Sequence, residues 1–351
     1  MGEAKTALVT GGSGYFGEVL TRALLARGYA VRVFDLNAPD AGLATQVEFH
    51  RGDIRDAEAV ARAASGMAVI HHNVAQVPLA KDKDKFWSVN SDGTRIILEA
   101  ARKAGARKVV YTSSSAVFGV PKENPVTRAT APTPAEEYGR AKEAGERMCH
   151  EATKAGLDVT IIRPRTIVGH GRLGIFQILF DWVSRGLDVP VFDGGGNVYQ
   201  FVHADDLAAA CLAAGERAGP AVYNIGAAEF GTMRELLEGL IAHAGTKSRV
   251  KSLPLGLSSA AMNAASALGL SPLGPYHSLM YGRSLYFDIS DAVSELGYAP
   301  RHSNASAIED SYDWYLAHRH DLGREGRSHH QSPVKQGAMV LAPLIMRFMP
   351  S

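Results

Sequence analysis

Residues Thr10-Gly11-Gly12-Ser13-Gly14-Tyr15-Phe16-Gly17 join a short β-branched run, Thr6–Thr10, to a stretch of helical periodicity, Tyr15–Arg27. Glycines so placed between a strand and a helix let the backbone turn tightly and approach a pyrophosphate. The helix N-terminus then stabilises that anion with its free N–H groups and its dipole. Gly11 and Gly14 serve the turn and the approach, and Gly17 lets the helix pack closely on a sheet. A second strand-like run, Val31–Asp35, ends on an acid eighteen residues after Gly17, near the offset at which a carboxylate receives ribose hydroxyls. A carboxylate there repels a 2′-phosphate, so the dinucleotide implied is NAD rather than NADP. The competing reading is a glycine-rich turn in an unrelated α/β protein, and the order strand, loop, helix, strand, acid weighs against it.

The alternation continues along the chain. Short apolar runs at Val47–His50, Ala68–His71, Lys108–Ser113 and Val159–Arg163 are separated by helical stretches, notably Phe86–Ala104 and Glu136–Ala155. This pattern predicts βαβ crossovers: an α/β protein with a doubly wound parallel sheet, helices on both faces, and ligands outside the carboxyl ends of the strands. Beyond Pro164 the rhythm breaks. Gly169, Gly171, Gly174, Pro190 and Gly194-Gly195-Gly196 punctuate the chain, and helices are expected at Ala204–Ala214, Met233–His243 and Ala305–His320. The organisation expected is a dinucleotide-binding domain over 1–165, rejoined by segments such as 201–226. A smaller, mostly helical substrate lobe would follow over 166–325, then a polar linker and apolar tail over 326–351.

Of 351 residues, 46% are hydrophobic and 21% charged, which supports a sizeable core and excludes a disordered chain. The formal net charge of +1 argues against a nucleic-acid binder, which would carry a basic stripe. Two cysteines, Cys149 and Cys211, are too few for a disulfide framework or a zinc site and suit a reducing, cytoplasmic compartment. No basic segment followed by an apolar one opens the chain, so export is not expected. No uncharged run sustains the ~20 apolar residues of a membrane span. His71-His72 and His329-His330 lack acid or cysteine companions at ligand spacing, so no metal is expected.

Tyr138 and Lys142 stand four apart at the start of a helical stretch, so one turn stacks them on the same face. A phenol of pKa ~10 is a poor base at neutral pH. A nearby cation and the positive ring of an oxidised nicotinamide both favour the phenolate, which brings proton transfer with a substrate hydroxyl within reach. Taken alone, such a pair is a common surface coincidence. It is joined here by Tyr111-Thr112-Ser113-Ser114-Ser115, leaving a strand at its carboxyl end, where one hydroxyl could hold a substrate oxygen. Strand-end hydrogen bonding explains any single serine of the cluster equally well. Asp53-Ile54, after the third strand, reads evenly as an adenine-edge contact or as an ordinary loop aspartate with a core isoleucine.

Taken together, these features resemble the extended short-chain dehydrogenases/reductases. That group, the NAD-dependent epimerase/dehydratase superfamily, includes nucleotide-sugar epimerases and dehydratases and the 3β-hydroxysteroid dehydrogenases. The resemblance spans roughly residues 5–320. Beyond the motifs above it rests on Val89-Asn90 with Gly93-Thr94, Arg163-Pro164, Phe201-Val202-His203-Ala204-Asp205-Asp206, Tyr223-Asn224-Ile225-Gly226 and Leu296-Gly297-Tyr298. It implies a Rossmann-type fold with NAD as cofactor. It also implies Tyr138 as general acid/base, Lys142 holding the nicotinamide ribose and tuning the phenol, and Ser114 as the catalytic serine. Ser114 is placed by counting back from Val117-Phe118-Gly119; Ser113 and Ser115 flank it and are less favoured. Cofactor contacts are expected from Gly11, Gly14, Tyr15, Phe16, Gly17, Asp35, Asp53, Ile54, Asn90, Tyr138, Lys142 and Pro164. Asn90 would brace the helix behind the site as readily as it would act directly. The chain departs from the family at His72-Asn73-Val74-Ala75, where small residues are usual, which leaves that loop's contacts open.

Two substrate classes compete within the family. Sugar-nucleotide enzymes usually place an arginine two residues before the Phe-Val-x-x-Asp-Asp segment. Here Asn197-Val198-Tyr199-Gln200-Phe201 brings no cation, and an uncompensated diphosphate is costly to bury. Arg165, Arg172 and Arg283 remain as other sources of charge. The stretch from Ser252 to Gly282 has no formally charged residue and is rich in Leu, Met and Ala, where the family builds its substrate-side lid. Such a lid suits a large hydrophobic alcohol or ketone, although a core or dimer contact is as good a reading. The expectation is an NAD-dependent oxidoreductase of an apolar 3β-hydroxysteroid- or sterol-like secondary alcohol or ketone. The alternatives are a nucleotide-sugar 4-epimerase/dehydratase and a non-catalytic NAD-binding regulator. A homodimer is expected. The tail Gly337–Pro350, broken by Pro343, is too short to span a bilayer. With Lys335 and Arg347 beside its apolar residues it suits a peripheral membrane contact, or docking on the body or a partner subunit.

Overall fold

The structure is a computed structural model that describes residues 5–76, 86–172, 174–256, 258, 260 and 281–320. The first half runs β1 (Thr6–Thr10), α1 (Tyr15–Ala26), β2 (Ala30–Asp35), α2 (Ala41–Ala44), β3 (Glu48–Arg51), α3 (Ala57–Ala64) and β4 (Val69–His72). After a wide π-type turn over Ser88–Asp92 come α4 (Gly93–Lys103), β5 (Lys108–Thr112), α5 (Glu137–Lys154) and β6 (Val159–Pro164). The second half adds β7 (Thr166–Val168), α6 (Ile175–Ser184), β8 (Val189–Phe192), β9 (Val198–Tyr199), β10 (Phe201–His203) and α7 (Ala204–Glu216). It closes with β11 (Ala221–Ile225), β12 (Gly231–Thr232), α8 (Met233–Ala244), β13 (Val250–Leu253), α9 (Ser290–Leu296) and α10 (Asn304–His318).

Seven parallel strands form one sheet in the order β11-β6-β5-β4-β1-β2-β3. This is the doubly wound α/β fold that the alternation predicts. Side chains of β1 divide by the two-residue period of a strand: Ala7 and Val9 pack with α1 and α7, whereas Leu8 faces the core shared with α3, α4 and α5. Both faces are therefore buried, which is why the strands read as apolar runs rather than as alternating ones. The order reverses between β1 and β4, so the loops leaving their carboxyl ends diverge and open a crevice there. Late segments return to this body: β11 pairs with β6, and α7 packs against α1.

The rest of the chain surrounds a second core that includes Phe180, Trp182, Leu236, Leu240 and Tyr312. Three small ribbons, β7 with β10, β8 with β13 and β9 with β12, stitch its helices together. Some elements escape sequence reading. Helix α3 is short, but Asp56 caps it by accepting from the N–H groups of Glu58 and Ala59. Helix α6, Ile-Phe-Gln-Ile-Leu-Phe-Asp-Trp-Val-Ser, buries residues on several sides, so it lacks a clean polar face. The lid expected over Ser252–Gly282 lies mostly outside the described residues, as do the tail Gly337–Pro350 and the pair His329-His330. Among the described residues no helix is long and apolar enough to cross a membrane.

Candidate active site

A cavity of about 670 Å³ lies along the carboxyl ends of the central strands, from the glycine loop to β7 and α6. At one end the chain turns at Gly11, whose φ of 70° favours glycine. A Cβ on Gly17 would sit 2.0 Å from the Gly11 carbonyl oxygen, so α1 can pack this closely on the loop only with glycine there. No side chain caps α1, which leaves its first N–H groups turned toward the cavity for an anion. Gly11, Gly14, Tyr15, Phe16 and Gly17 all reach the cavity wall. Asp35 also lines it, its carboxylate accepting from the N–H groups of Ser13 (3.2 Å) and Asn37 (3.0 Å). Burial raises the Asp35 pKa above the usual carboxylate range, and those two N–H groups oppose the rise. Asp53 is held by Arg55, whose Nε donates to Oδ1 at 2.9 Å. Ile54 is part of the core and still reaches the cavity.

The loop after β4, where the sequence departs from the family, forms the facing wall. Asn73 Oδ1 accepts from Thr112 Oγ1 at 2.5 Å. Asn90 reaches back from the π-type turn, accepting from the Gln76 N–H (2.9 Å) and donating to the Gln76 carbonyl (3.0 Å). It therefore clamps Gln76, which lines the cavity with residues 73–75, while Asn90 itself lies behind that wall. His72 is buried and bridges β1 to α4: Nδ1 bonds Thr10 Oγ1 at 2.8 Å and Nε2 bonds Thr94 Oγ1 at 3.1 Å. Burial, with the Lys142 cation, lowers its pKa to about 3, so the ring is neutral.

Beside β5 and β6 the wall carries Ser114, Tyr138, Lys142 and Pro164 together. Tyr138 is the second residue of α5, and Glu136 fixes that first turn by accepting from the N–H groups of Tyr138 and Gly139, both at 2.7 Å. Ser114 lies beside Tyr138 on this wall, near enough for its hydroxyl to favour the phenolate. Burial pushes that phenol up to about 12, against the opposing effects of Ser114 and Arg172. Lys142, one turn along, donates from Nζ to the Thr112 carbonyl at 2.8 Å and lies 5.0 Å from the Tyr111 ring centre. Burial lowers Lys142 to about 8, and the Glu146 carboxylate is among the groups that oppose the fall.

The structure separates the three serines. Ser113 Oγ donates to Glu146 Oε1 at 2.6 Å, and Glu146 pairs with Arg163 through Nε (2.9 Å) and Nη2 (2.6 Å), all buried. Ser115 opens the buried turn Ser115–Phe118, and Ser114 is its cap, accepting from the Ala116 N–H. Of the three, Ser114 is the one whose hydroxyl favours the Tyr138 phenolate. Glu136 and Glu146 were missed in the sequence. Glu146 was legible in principle, because Tyr138, Lys142 and Glu146 recur every four residues along one helical face. Farther along, Arg165, Arg172, Tyr199 and Tyr281 complete the wall.

An uncapped helix N-terminus behind a glycine turn, with a carboxylate at the next strand end, fits NAD: the N–H groups for its pyrophosphate, Asp35 for its ribose. A serine, a phenol and a lysine on one wall of the same cavity are the equipment of a dinucleotide-dependent short-chain oxidoreductase or epimerase. The chain belongs to the NAD dependent epimerase/dehydratase family, whose pattern matches residues 7–226, and NAD is its cofactor. It is 62% identical over 347 residues to the uncharacterized protein y4nG of Sinorhizobium fredii, covering 99% of this chain and 87% of that one. It is 39% identical over 173 residues to the sterol demethylase protein B of Methylococcus capsulatus, covering 47% and 52% of the two chains. Among solved structures, the Thermus thermophilus UDP-glucose 4-epimerase in complex with NAD superposes with a TM-score of 0.71 at 25% identity, over 89% of this chain and 99% of that one.

Proposed function

We propose that this enzyme is an NAD-dependent dehydrogenase of an apolar, sterol-like secondary alcohol, or a reductase of the matching ketone. The observation that carries the reading is the juxtaposition of half-buried Ser114 and Tyr138 with Lys142 on the wall of a cavity whose far side includes Ile175, Phe176, Tyr199 and Tyr281. Ser114 orients the substrate oxygen, and Tyr138 takes the hydroxyl proton in oxidation or returns it in reduction. Lys142, held on the Thr112 carbonyl, presents its charge from beneath the same wall. NAD, when bound, supplies the hydride chemistry. The likeness to the sterol demethylase protein B supports the substrate class.

The test follows NADH absorbance with purified protein, NAD and a panel of hydroxysterols. Wild type is expected to reduce NAD, and Tyr138→Phe to lose roughly 10²–10⁴-fold in turnover with its affinity for NAD retained. No NADH from any secondary alcohol would refute the proposal. The likeness to the Thermus enzyme favours a second reading, a nucleotide-sugar epimerase. Redox-neutral conversion of UDP-sugars, with NAD retained through purification, would select it. A homodimer, a cytoplasmic location and a peripheral membrane contact through Gly337–Pro350 complete the reading. The two free, buried cysteines support a reducing compartment. Sedimentation and vesicle flotation test the dimer and the membrane contact.

A further inference from the structure

Three segments distant in sequence converge outside the cavity wall: the loop after β7 with His170, the end of β10 with His203, and α10 with Asp310. One ligand atom from each of these three side chains lies within 4.8 Å of the others. They differ from the adjacent pairs His71-His72 and His329-His330, from which no metal is expected, because here the fold supplies the acid companion. His203 is 1% exposed, and its Nε2 has no hydrogen-bond partner among the described residues. Gly169 leaves that nitrogen uncovered, since a Cβ there would sit 2.8 Å from it. The other ring nitrogen, Nδ1, accepts from the Asp205 N–H at 3.2 Å, so Nε2 bears the proton of the neutral ring and directs it at no acceptor. His302 stacks on the His203 ring at 3.8 Å between centres and is itself held by Asp206 at 3.1 Å, which fixes the plane of the buried imidazole. Ordinary ion pairing explains the cluster poorly. Asp310 Oδ2 stands 4.0 Å from His170 Nε2 and 3.6 Å from His302 Nε2, both longer than a hydrogen bond. Two donors on one tetrahedral zinc are about 3.4 Å apart, and His170 and Asp310, both partly exposed, can rotate to close the difference.

We infer that His170, His203 and Asp310 form a binding site for a divalent transition-metal ion of the zinc class, with water completing its coordination. Two imidazoles and one carboxylate suit zinc, nickel or copper better than magnesium or calcium, which take oxygen donors. Burial, with His302 beside it, lowers the His203 pKa, so the ring is neutral near pH 7, the state a metal requires. On binding, the metal takes the lone pair of Nε2, and the proton there passes through solvent to Nδ1, 3.8 Å from the Asp205 carboxylate. A carboxylate behind the imidazole commonly orients a metal-bound histidine. The ion would act as a clip. It joins β10, at whose end α7 begins, to α10, which packs in the second core. The loop it also holds is tied to α10 by the Gly169 N–H donating to Ser311 Oγ at 2.8 Å, and it carries Arg172 to the cavity wall. The site stands apart from the reacting centre and does not depend on the substrate reading.

The test uses untagged, full-length protein saturated with NAD, stripped with a chelator and titrated with Co²⁺ as a spectroscopic probe, then with Zn²⁺. Wild type is expected to take up one Co²⁺ per chain, with the visible absorption of a histidine–carboxylate site, and to release it to Zn²⁺. Bound Zn²⁺ should also raise the melting temperature. His170→Ala and Asp310→Asn should each weaken binding roughly tenfold or more, the scale at which even outer-shell partners of a metal matter. Both should leave the circular-dichroism spectrum and NAD affinity of the stripped protein unchanged. His203→Asn keeps an acceptor at the start of α7 and should abolish the saturable uptake. The double variant His329→Ala/His330→Ala should bind like wild type. Absence of stoichiometric uptake by wild type overturns the inference. So does uptake that survives both His170→Ala and Asp310→Asn, or that disappears in the His329→Ala/His330→Ala variant.

Discussion

Gly17 illustrates how a single atom fixes cofactor geometry. A methyl at this position would overlap the Gly11 carbonyl, so Gly17→Ala must move α1 away from the loop it packs against. The expected outcome is loss of measurable NAD affinity, by calorimetry, together with destabilisation of about 2 kcal/mol or more in urea, the scale of overpacking. Tyr138 carries a second prediction. Oxidation needs the phenolate, and burial holds the free phenol near 12, so kcat/KM for oxidation should rise with pH and fall as the phenol is protonated. Arg172 and Ser114 both favour the phenolate. Arg172→Met is therefore expected to shift the rising limb of the pH–rate profile to higher pH, and an unmoved limb would refute that role. At this scale the sequence revealed the residue types but not their tasks. Ser113, Ser114 and Ser115 are alike as residue types, and only the family resemblance singles out Ser114 in the sequence. In the fold Glu146 takes Ser113, while Ser114 is the hydroxyl that favours the Tyr138 phenolate.

Helix α5 joins the chemistry to the core. Its first turn is fixed by Glu136, its second carries Lys142, and its third places Glu146 on Arg163 of β6. The Glu146–Arg163 pair is almost wholly enclosed, with side chains 3% and 5% exposed, so removing one partner leaves an uncompensated buried charge. Glu146→Gln is expected to cost about 3 kcal/mol in chemical denaturation. The double variant Glu146→Gln/Arg163→Met should recover part of it, and additive losses would show that the pair is not coupled. Strand and helix identities here were legible because period and length are local properties: β5, β6 and α5 lie within a residue or so of their expected limits. The wide turn at Ser88–Asp92 was not, since its geometry answers to Asn90 clamping a loop fourteen positions earlier in the chain.

For the molecule as a whole, burial has its clearest consequence in acid. His71 is enclosed between β4 and α7 with neither ring nitrogen hydrogen-bonded, and burial lowers its pKa to about 4; that of His72 is about 3. Unfolded, both titrate near 6.5. Between these limits the unfolded chain binds protons that the folded chain refuses, so stability is complete above pH 6.5 and is lost as pH falls toward 4. The two rings together should contribute a slope of up to about 2.7 kcal/mol per pH unit near pH 5. His71→Leu should halve it, as read from urea midpoints at pH 8, 6 and 5, and an unchanged slope would refute the assignment. By itself the sequence determined the doubly wound sheet, the NAD loop and the Tyr138–Lys142 pair, because glycine spacing, strand length and helical period are local and repeat along the chain. Only tertiary structure decided that Ser113 goes to Glu146, that Asn90 braces a wall, and that Arg165 and Arg172 converge with aromatic rings at the far end of the cavity. Those relations join segments far apart in sequence, and they arise only when packing brings the segments together and excludes water from between them.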